Sequence, residues 1–164
     1  MQEIGDKKGE GTTLNNISQI YKARGDYTTA LTCLEQSLVI CRVVGDKAGE
    51  GATLNNISQI YDARGDYGTA LKYLEQSLGI VQETGNKAGE AITSWNIGLT
   101  YKDQGELAKA EPYMSRAVQL AEEIGHPSLE KYREALEDIR AKLRGALPTR
   151  AKGFLPLHWP DDTQ

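Results

Sequence analysis

The sequence of 164 residues is poor in the residue types that mark several common protein classes. It has two histidines and two cysteines, too few for a typical structural zinc site or a disulfide framework. No apolar run approaches the roughly 20 residues that span a bilayer, and the charged start MQEIGDKKGE does not resemble a secretory signal. The net charge of −4 argues against nucleic-acid binding, which needs a basic stripe. We therefore predict a cytoplasmic protein without nucleic-acid or membrane partners, metal or cofactor.

The two cysteines lie eight residues apart, at Cys33 and Cys41. On one helix this spacing places them about 12 Å apart, which is too far for a disulfide. We expect both to behave as small buried hydrophobic residues.

A repeat of 40 residues dominates the remaining sequence. Residues 5–44 and 45–84 are identical at 29 of 40 positions without a gap, and residues 85–124 form a third, looser copy. A fixed period of 20 to 50 residues is the signature of stacked supersecondary units. The repeat therefore predicts an array in which each unit packs on its neighbours.

Each unit contains two helical patterns separated by a glycine that is followed by a capping residue. Glycine can adopt the left-handed conformation that ends one helix, and aspartate or asparagine can cap the next. These pairs stand at Gly5-Asp6, Gly25-Asp26, Gly45-Asp46, Gly65-Asp66, Gly85-Asn86, Gly105-Glu106 and Gly125-His126. The pattern predicts an all-α, right-handed superhelical solenoid of three helix-turn-helix repeats plus a C-terminal capping helix.

The spacing of apolar and small residues resembles that of tetratricopeptide repeat (TPR) proteins, in a variant of 40 rather than 34 residues. The matching residues of the first two units are Leu14, Ile17, Tyr21, Gly25, Tyr27, Ala30 and Leu34, then Leu54, Ile57, Tyr61, Gly65, Tyr67, Ala70 and Leu74. Those of the third are Ile97, Gly98, Tyr101, Gly105, Ala110, Met114 and Ala117. Departures include Ser18 and Ser58, which stand where the family prefers glycine.

The predicted organisation has six segments. Residues 1–4 resemble the end of a preceding repeat helix, which suggests part of a longer array or an open end that needs a partner. Residues 5–44, 45–84 and 85–124 are the three repeats, and 125–145 form the capping helix. Residues 146–164 are a tail rich in proline and aromatic residues, which is either disordered or docked on the last repeats or in the groove of its own or another copy.

Helical periodicity separates a polar side of each first helix from its apolar side. The resemblance implies that first helices line the concave surface of the solenoid, where this family holds its ligands. The predicted peptide-binding residues are Asn15, Asn16, Gln19, Lys22, Asn55, Asn56, Gln59, Asp62, Trp95, Asn96, Leu99 and Lys102.

Two features of that face have more than one interpretation. Asn16, Asn56 and Asn96 share one register and could form a ladder of amides that grips a peptide backbone, since an amide both donates and accepts. They could equally bond to the array's own backbone, to a neighbouring helix or to water. Trp95 replaces the asparagine of positions 15 and 55, either as a binding anchor or packed against the terminal helix or tail.

The sequence offers no nucleophile–base pair, metal constellation or cofactor loop. We therefore predict a non-catalytic protein–protein interaction scaffold that binds a peptide or partner segment in its concave groove. The alternative is a regulatory or structural segment of a larger signalling protein that acts mainly through self-association. Self-association would use the N-terminal end or the C-terminal tail.

Overall fold

A computed structural model describes residues 2–146 of the chain, and the side chains of residues 6–145. All its regular elements are helices within that range. They are α1 (Gln2–Ala23), α2 (Tyr27–Val44), α3 (Lys47–Ala63), α4 (Tyr67–Glu83), α5 (Lys87–Asp103), α6 (Leu107–Ile124) and α7 (Leu129–Ala146). The predicted tail lies outside the described residues, apart from the last helical residue of α7.

The predicted glycine turns separate the helices at every junction from α1 to α7. The glycines at positions 25, 45, 65, 85, 105 and 125 all have positive φ, between 64° and 80°, which residues with a Cβ rarely adopt. The side chain of the next residue caps the following helix in four junctions, as at Asp26, whose carboxylate accepts a hydrogen bond from the Thr29 amide. His126 occupies the capping position before α7, and its Nδ1 accepts a bond of 3.1 Å from the Ser128 amide.

The first unit differs from this pattern at its start. A turn was expected at Gly5-Asp6, but α1 runs without interruption from Gln2 to Ala23. No second-helix partner precedes α1 in the described residues, so nothing packs there to favour a chain reversal over continued helix. The assignment of residues 1–4 to a preceding repeat stays a prediction.

Successive helices pack through small and apolar residues at equivalent positions. One cluster joins the second helix of unit 1 to the first helix of unit 2, through residues such as Leu34, Leu38 and Ile57. A second cluster joins unit 3 to α7, through Met114 and Ile139. These clusters bury the apolar side of each helix, as a solenoid requires.

Small residues allow close approach at several of these contacts. A Cβ on Gly98 would collide with the Met114 side chain, and a Cβ on Gly49 would stand 2.8 Å from Cys41 Sγ. The hydroxyl of Ser18 turns back and donates to the Asn15 carbonyl at 2.6 Å, so serine fits a slot where the family prefers glycine. Cys41 is buried and Cys33 half-buried, and both are free thiols. Burial raises the pKa of Cys41.

Two equivalent isoleucines are buried to different extents, which predicts that replacing them lowers the free energy of unfolding by different amounts. Ile60 is fully buried between units 1 and 2, whereas Ile20 at the same position of unit 1 is 53% exposed. Ile60→Ala should lower the free energy of unfolding by about 2–5 kcal/mol, because it leaves a cavity. Ile20→Ala should lower it by less than about 1 kcal/mol. Urea denaturation followed by circular dichroism at low protein concentration measures both values, and equal losses would contradict the packing described.

Candidate functional site

The surface formed by α1, α3 and α5, here called the first-helix face, contains most of the predicted binding residues. Ten of the twelve line three clefts on this face. Asn15 and Asn16 line the first cleft, and Asn55 and Asn56 the second. The third, here called the central cleft, includes Lys22, Gln59, Asp62, Trp95, Asn96 and Leu99. Gln19 and Lys102 line none of these three clefts.

The paired asparagines link one repeat to the next. Asn56 Nδ2 donates to Asn15 Oδ1 at 2.6 Å, and Asn96 Nδ2 donates to Asn55 Oδ1 at 2.9 Å. Asn15 Nδ2 in turn donates to Thr53 Oγ1 at 3.1 Å. A hydrogen bond to a neighbouring helix, one of the alternatives to a free amide ladder, therefore uses an N–H group of each of these three side chains. The Oδ1 atoms of Asn56 and Asn96 accept no hydrogen bond within the described part of the chain.

Trp95 packs against the terminal helix, which was one of its two predicted roles. The side chain is 5% exposed, and its ring stacks on that of Tyr132 with centroids 3.9 Å apart and planes 11° apart. The His126 ring also stacks on the Tyr132 ring, with centroids 5.8 Å apart. Most of the indole therefore serves the contact between α5 and α7, while its remaining surface lines the central cleft.

The central cleft has a volume of about 430 Å³ and lies where α1, α3, α5 and α7 meet. Its apolar lining comes from Leu99 and the stacked rings of Trp95 and Tyr132. Its polar lining comes from Lys22, Gln59, Asp62, Asn96 and Lys131, with three small hydroxyl residues. Apolar walls with a few converging polar groups are typical of ligand sites.

Charges at the cleft are perturbed by burial. Burial lowers the pKa of the Lys22 ammonium, while the charge of Asp62 opposes this change. Burial raises the pKa of the Asp62 carboxyl and the charge of Asp103 adds to the rise, while a hydrogen bond from the Thr100 side chain and the charge of Lys22 oppose it. Lys22 Nζ donates to Gln59 Oε1, and Asp62 Oδ1 is buried without a hydrogen-bond partner in the described part of the chain. Perturbed groups that converge in a cleft make it a candidate functional site.

Sequence reasoning missed the contribution of α7 to this site. Ser128, Lys131 and Tyr132 all line the central cleft. They belong to the segment 125–145, which was predicted only as a capping helix. The capping role and the cleft are compatible because α7 crosses the end of the first-helix face. Because Ser128, Lys131 and Tyr132 lie outside the repeats, no equivalent residue in units 1–3 could indicate that they line the cleft.

The described residues contain no group of three or more His, Cys, Asp or Glu side chains arranged to hold a metal ion. None of the helices in the described range is long and apolar enough to cross a membrane.

Comparison with sequence families identifies the repeats directly. Two models described as tetratricopeptide repeat match residues 9–83 and 93–124, which together make up more than half of the chain. The chain belongs to the tetratricopeptide repeat family. Repeats of this family generally mediate protein–protein contacts, which supports a protein-interaction scaffold. No match is found among curated proteins.

Solved structures similar to this tetratricopeptide repeat protein share its fold at low sequence identity. The apo form of RapI superposes with a TM-score of 0.78 at 20% identity, over 85% of this chain and 39% of RapI. A putative kinesin light chain from Podosopora anserina superposes with a TM-score of 0.66 at 17% identity, over 86% of this chain and 78% of the other. BtubC (BKLC) from P. vanneervenii superposes with a TM-score of 0.61 at 17% identity, over 92% of this chain and 71% of BtubC. The chain thus spans well under half of RapI.

The inter-repeat amide pair of this tetratricopeptide array predicts a measurable coupling. Asn15→Ala and Asn56→Ala should each lower the free energy of unfolding by about 1–3 kcal/mol, because each leaves a partly buried polar group unpaired. The double variant should lose less than the sum, by about 0.5–1.5 kcal/mol, because the two residues share one hydrogen bond. Urea denaturation of the four proteins gives this coupling.

Asn16→Ala is the matched control for the amide pair. Asn16 is exposed and bonds to no side chain of the described residues, so its replacement should change the free energy of unfolding by less than about 0.5 kcal/mol. Additive losses for Asn15 and Asn56 would contradict the inter-repeat bond.

Proposed function

We propose that this chain is a non-catalytic scaffold that holds a peptide or an extended partner segment across its first-helix face, with the central cleft as the main contact. The observation that carries the proposal is the convergence at one cleft of six predicted binding residues with Lys131 and Tyr132 of α7. Membership of a family whose repeats contact other proteins supports the same function. The predicted cytoplasmic location stays a prediction.

The chemistry of the cleft favours an occupant that is both amphipathic and extended. Leu99 and the edge of the Trp95–Tyr132 stack offer an apolar contact, and such aromatic surfaces dominate binding energy at many interfaces. The Oδ1 atom of Asn96 in this cleft, and that of Asn56 in the second cleft, accept no bond within the described residues and can accept from backbone N–H groups, which peptide units supply at regular spacing. The cleft therefore suits a short segment with an apolar side chain and an available backbone.

The amide bonds between repeats revise how a peptide would be held. Because one N–H of each Nδ2 group already bonds to the preceding unit, each amide offers the occupant its Oδ1 acceptor and one remaining N–H donor. The internal bonds also fix the orientation of both side chains, which lowers the entropy lost on binding. Further donors for an occupant's carbonyl groups would come from Lys22, Gln59 and Lys131.

The absence of conspicuous catalytic groups in the described residues does not itself define a function. What favours binding over catalysis is the kind of side chains that line the central cleft. Asp62 and Lys22 have perturbed pKa values, and the side chains that line the cleft with them are amides, small hydroxyls, apolar residues and the ammonium of Lys131. This composition can position a peptide.

Two charged residues of the central cleft provide the test. Peptides are selected from a random nine-residue library against the wild-type chain, labelled with fluorescein, and measured by fluorescence anisotropy. Asp62→Ala and Lys131→Ala should each weaken binding by about tenfold, which corresponds to losing one charge-assisted contact. Neither residue forms an ion pair within the described part of the chain, so their loss should leave the helical circular dichroism spectrum unchanged.

Glu75→Ala and Lys72→Ala on α4 are the charge-matched controls. Both residues are exposed and lie outside the central cleft, so the same peptides should bind these variants within about twofold of wild type. Failure to select any peptide, or an equal loss in the controls, would rule out the central cleft as the binding site.

A further inference from the structure

The outer side of α1 exposes apolar residues that the other repeats bury. Ile17 is 36% exposed and Ile20 is 53% exposed. Glu10, Thr13 and Arg24 are exposed beside them. These five residues, here called the α1 edge, share one side of the helix at about 100° per residue. Two neighbouring exposed isoleucines with flanking charges make this edge a candidate interaction surface.

The second repeat shows what this surface is built to contact. The equivalent residues Glu50, Thr53, Ile57 and Ile60 are all at most 6% exposed, because α1 and α2 cover them. Thr53 accepts from Asn15. The α1 edge therefore carries one half of an inter-helix contact whose other half is absent from the described residues.

The charged residues of the α1 edge also lack the contacts that their equivalents make in unit 2. Glu50 forms ion pairs of 2.9 Å with both Arg42 and Lys47, and Arg64 reaches back over the Tyr27 ring of the preceding unit. The corresponding residues of unit 1, Glu10 and Arg24, form no ion pair within the described part of the chain. Both side chains are thus available at opposite ends of the exposed isoleucines.

Head-to-tail stacking with a second copy is disfavoured by α7. In unit 3, the side of the helix pair that would receive another first helix is covered by Tyr132, Leu136 and Ile139 of α7. The outward side of α7 is charged, with ion pairs such as Arg133–Glu130 and Lys142–Asp138. Among the described residues a second copy therefore offers no matching surface at that end, and the remaining candidate surface is its own α1 edge.

We propose that two copies of this chain associate through their α1 edges, in an antiparallel, two-fold symmetric pair centred on Ile17. Glu10 and Arg24 each lie seven residues from Ile17, which is two helical turns, so the symmetry places Glu10 opposite Arg24 of the partner subunit. Ile17 lies opposite Ile17 of the partner subunit, and Ile20 lies beside Thr13 of the partner subunit by the same symmetry. The pair contains one central apolar contact between the two Ile17 side chains, two flanking contacts of Ile20 with the Thr13 methyl group, and two opposite-charge contacts, and it leaves the central cleft free.

Light scattering and sedimentation velocity on the full chain test this association over a range of protein concentrations. The expected mass is twice 18.0 kDa, falling to 18.0 kDa on dilution. Ile20→Asp should abolish the dimer, and Val39→Asp is its control, because Val39 is 61% exposed but lies on α2 outside the α1 edge. Circular dichroism verifies that both variants are folded. A wild-type chain that is monomeric at all concentrations would overturn the proposal.

A charge exchange tests the antiparallel symmetry itself. Glu10→Arg alone should weaken dimerisation by about tenfold or more, because it places two arginines opposite each other at both ends. Arg24→Glu alone should weaken it similarly. The double variant should restore the wild-type dissociation constant to within about threefold, because each pair is re-formed with its signs reversed. A dimer that survives all these changes, or a double variant that stays weak, would show a different interface and overturn the proposal.

Discussion

The structure depends on the contact between one repeat's first helix and the helix pair before it. A two-helix unit cannot bury its own apolar side, so each unit needs its neighbour to complete a core. The contact combines fully buried apolar residues, such as Ile57 and Ile60, with a polar network between Asn15, Thr53 and Asn56. Because the polar groups bond across the contact, they fix the rotation of one unit against the next. Apolar burial alone leaves that rotation less specified.

Much of the fold could be predicted because it follows from local chemistry repeated at fixed spacing. Glycine turns, capping side chains and the apolar periodicity each depend on residues close together in sequence. The start of α1 was the exception. At Gly5-Asp6 the local signal for a turn is the same as at Gly45-Asp46, but α1 continues through it. The turn needs a packed preceding helix as well as its glycine, and that condition is tertiary.

The candidate site could be predicted in outline only. Periodicity placed the asparagines and Trp95 on the side opposite the apolar residues of each first helix, and most of them do line clefts on the first-helix face. Periodicity describes a single helix, however, and the partners of Asn56, Asn96 and Trp95 lie on other helices. The identities of those partners depend on how far one unit rotates against the next. Lys131 was missed for the same reason, since its position is set by how α7 crosses the array.

The replacement of asparagine by Trp95 bears on how the chain avoids misassembly. Units 1 and 2 are so alike that a helix able to pack on one could also pack on the other during folding. The terminal helix escapes this ambiguity, because the ring of Tyr132 has an indole to stack on only after the third unit. One aromatic pair thus lets α7 distinguish the last repeat from its near copies.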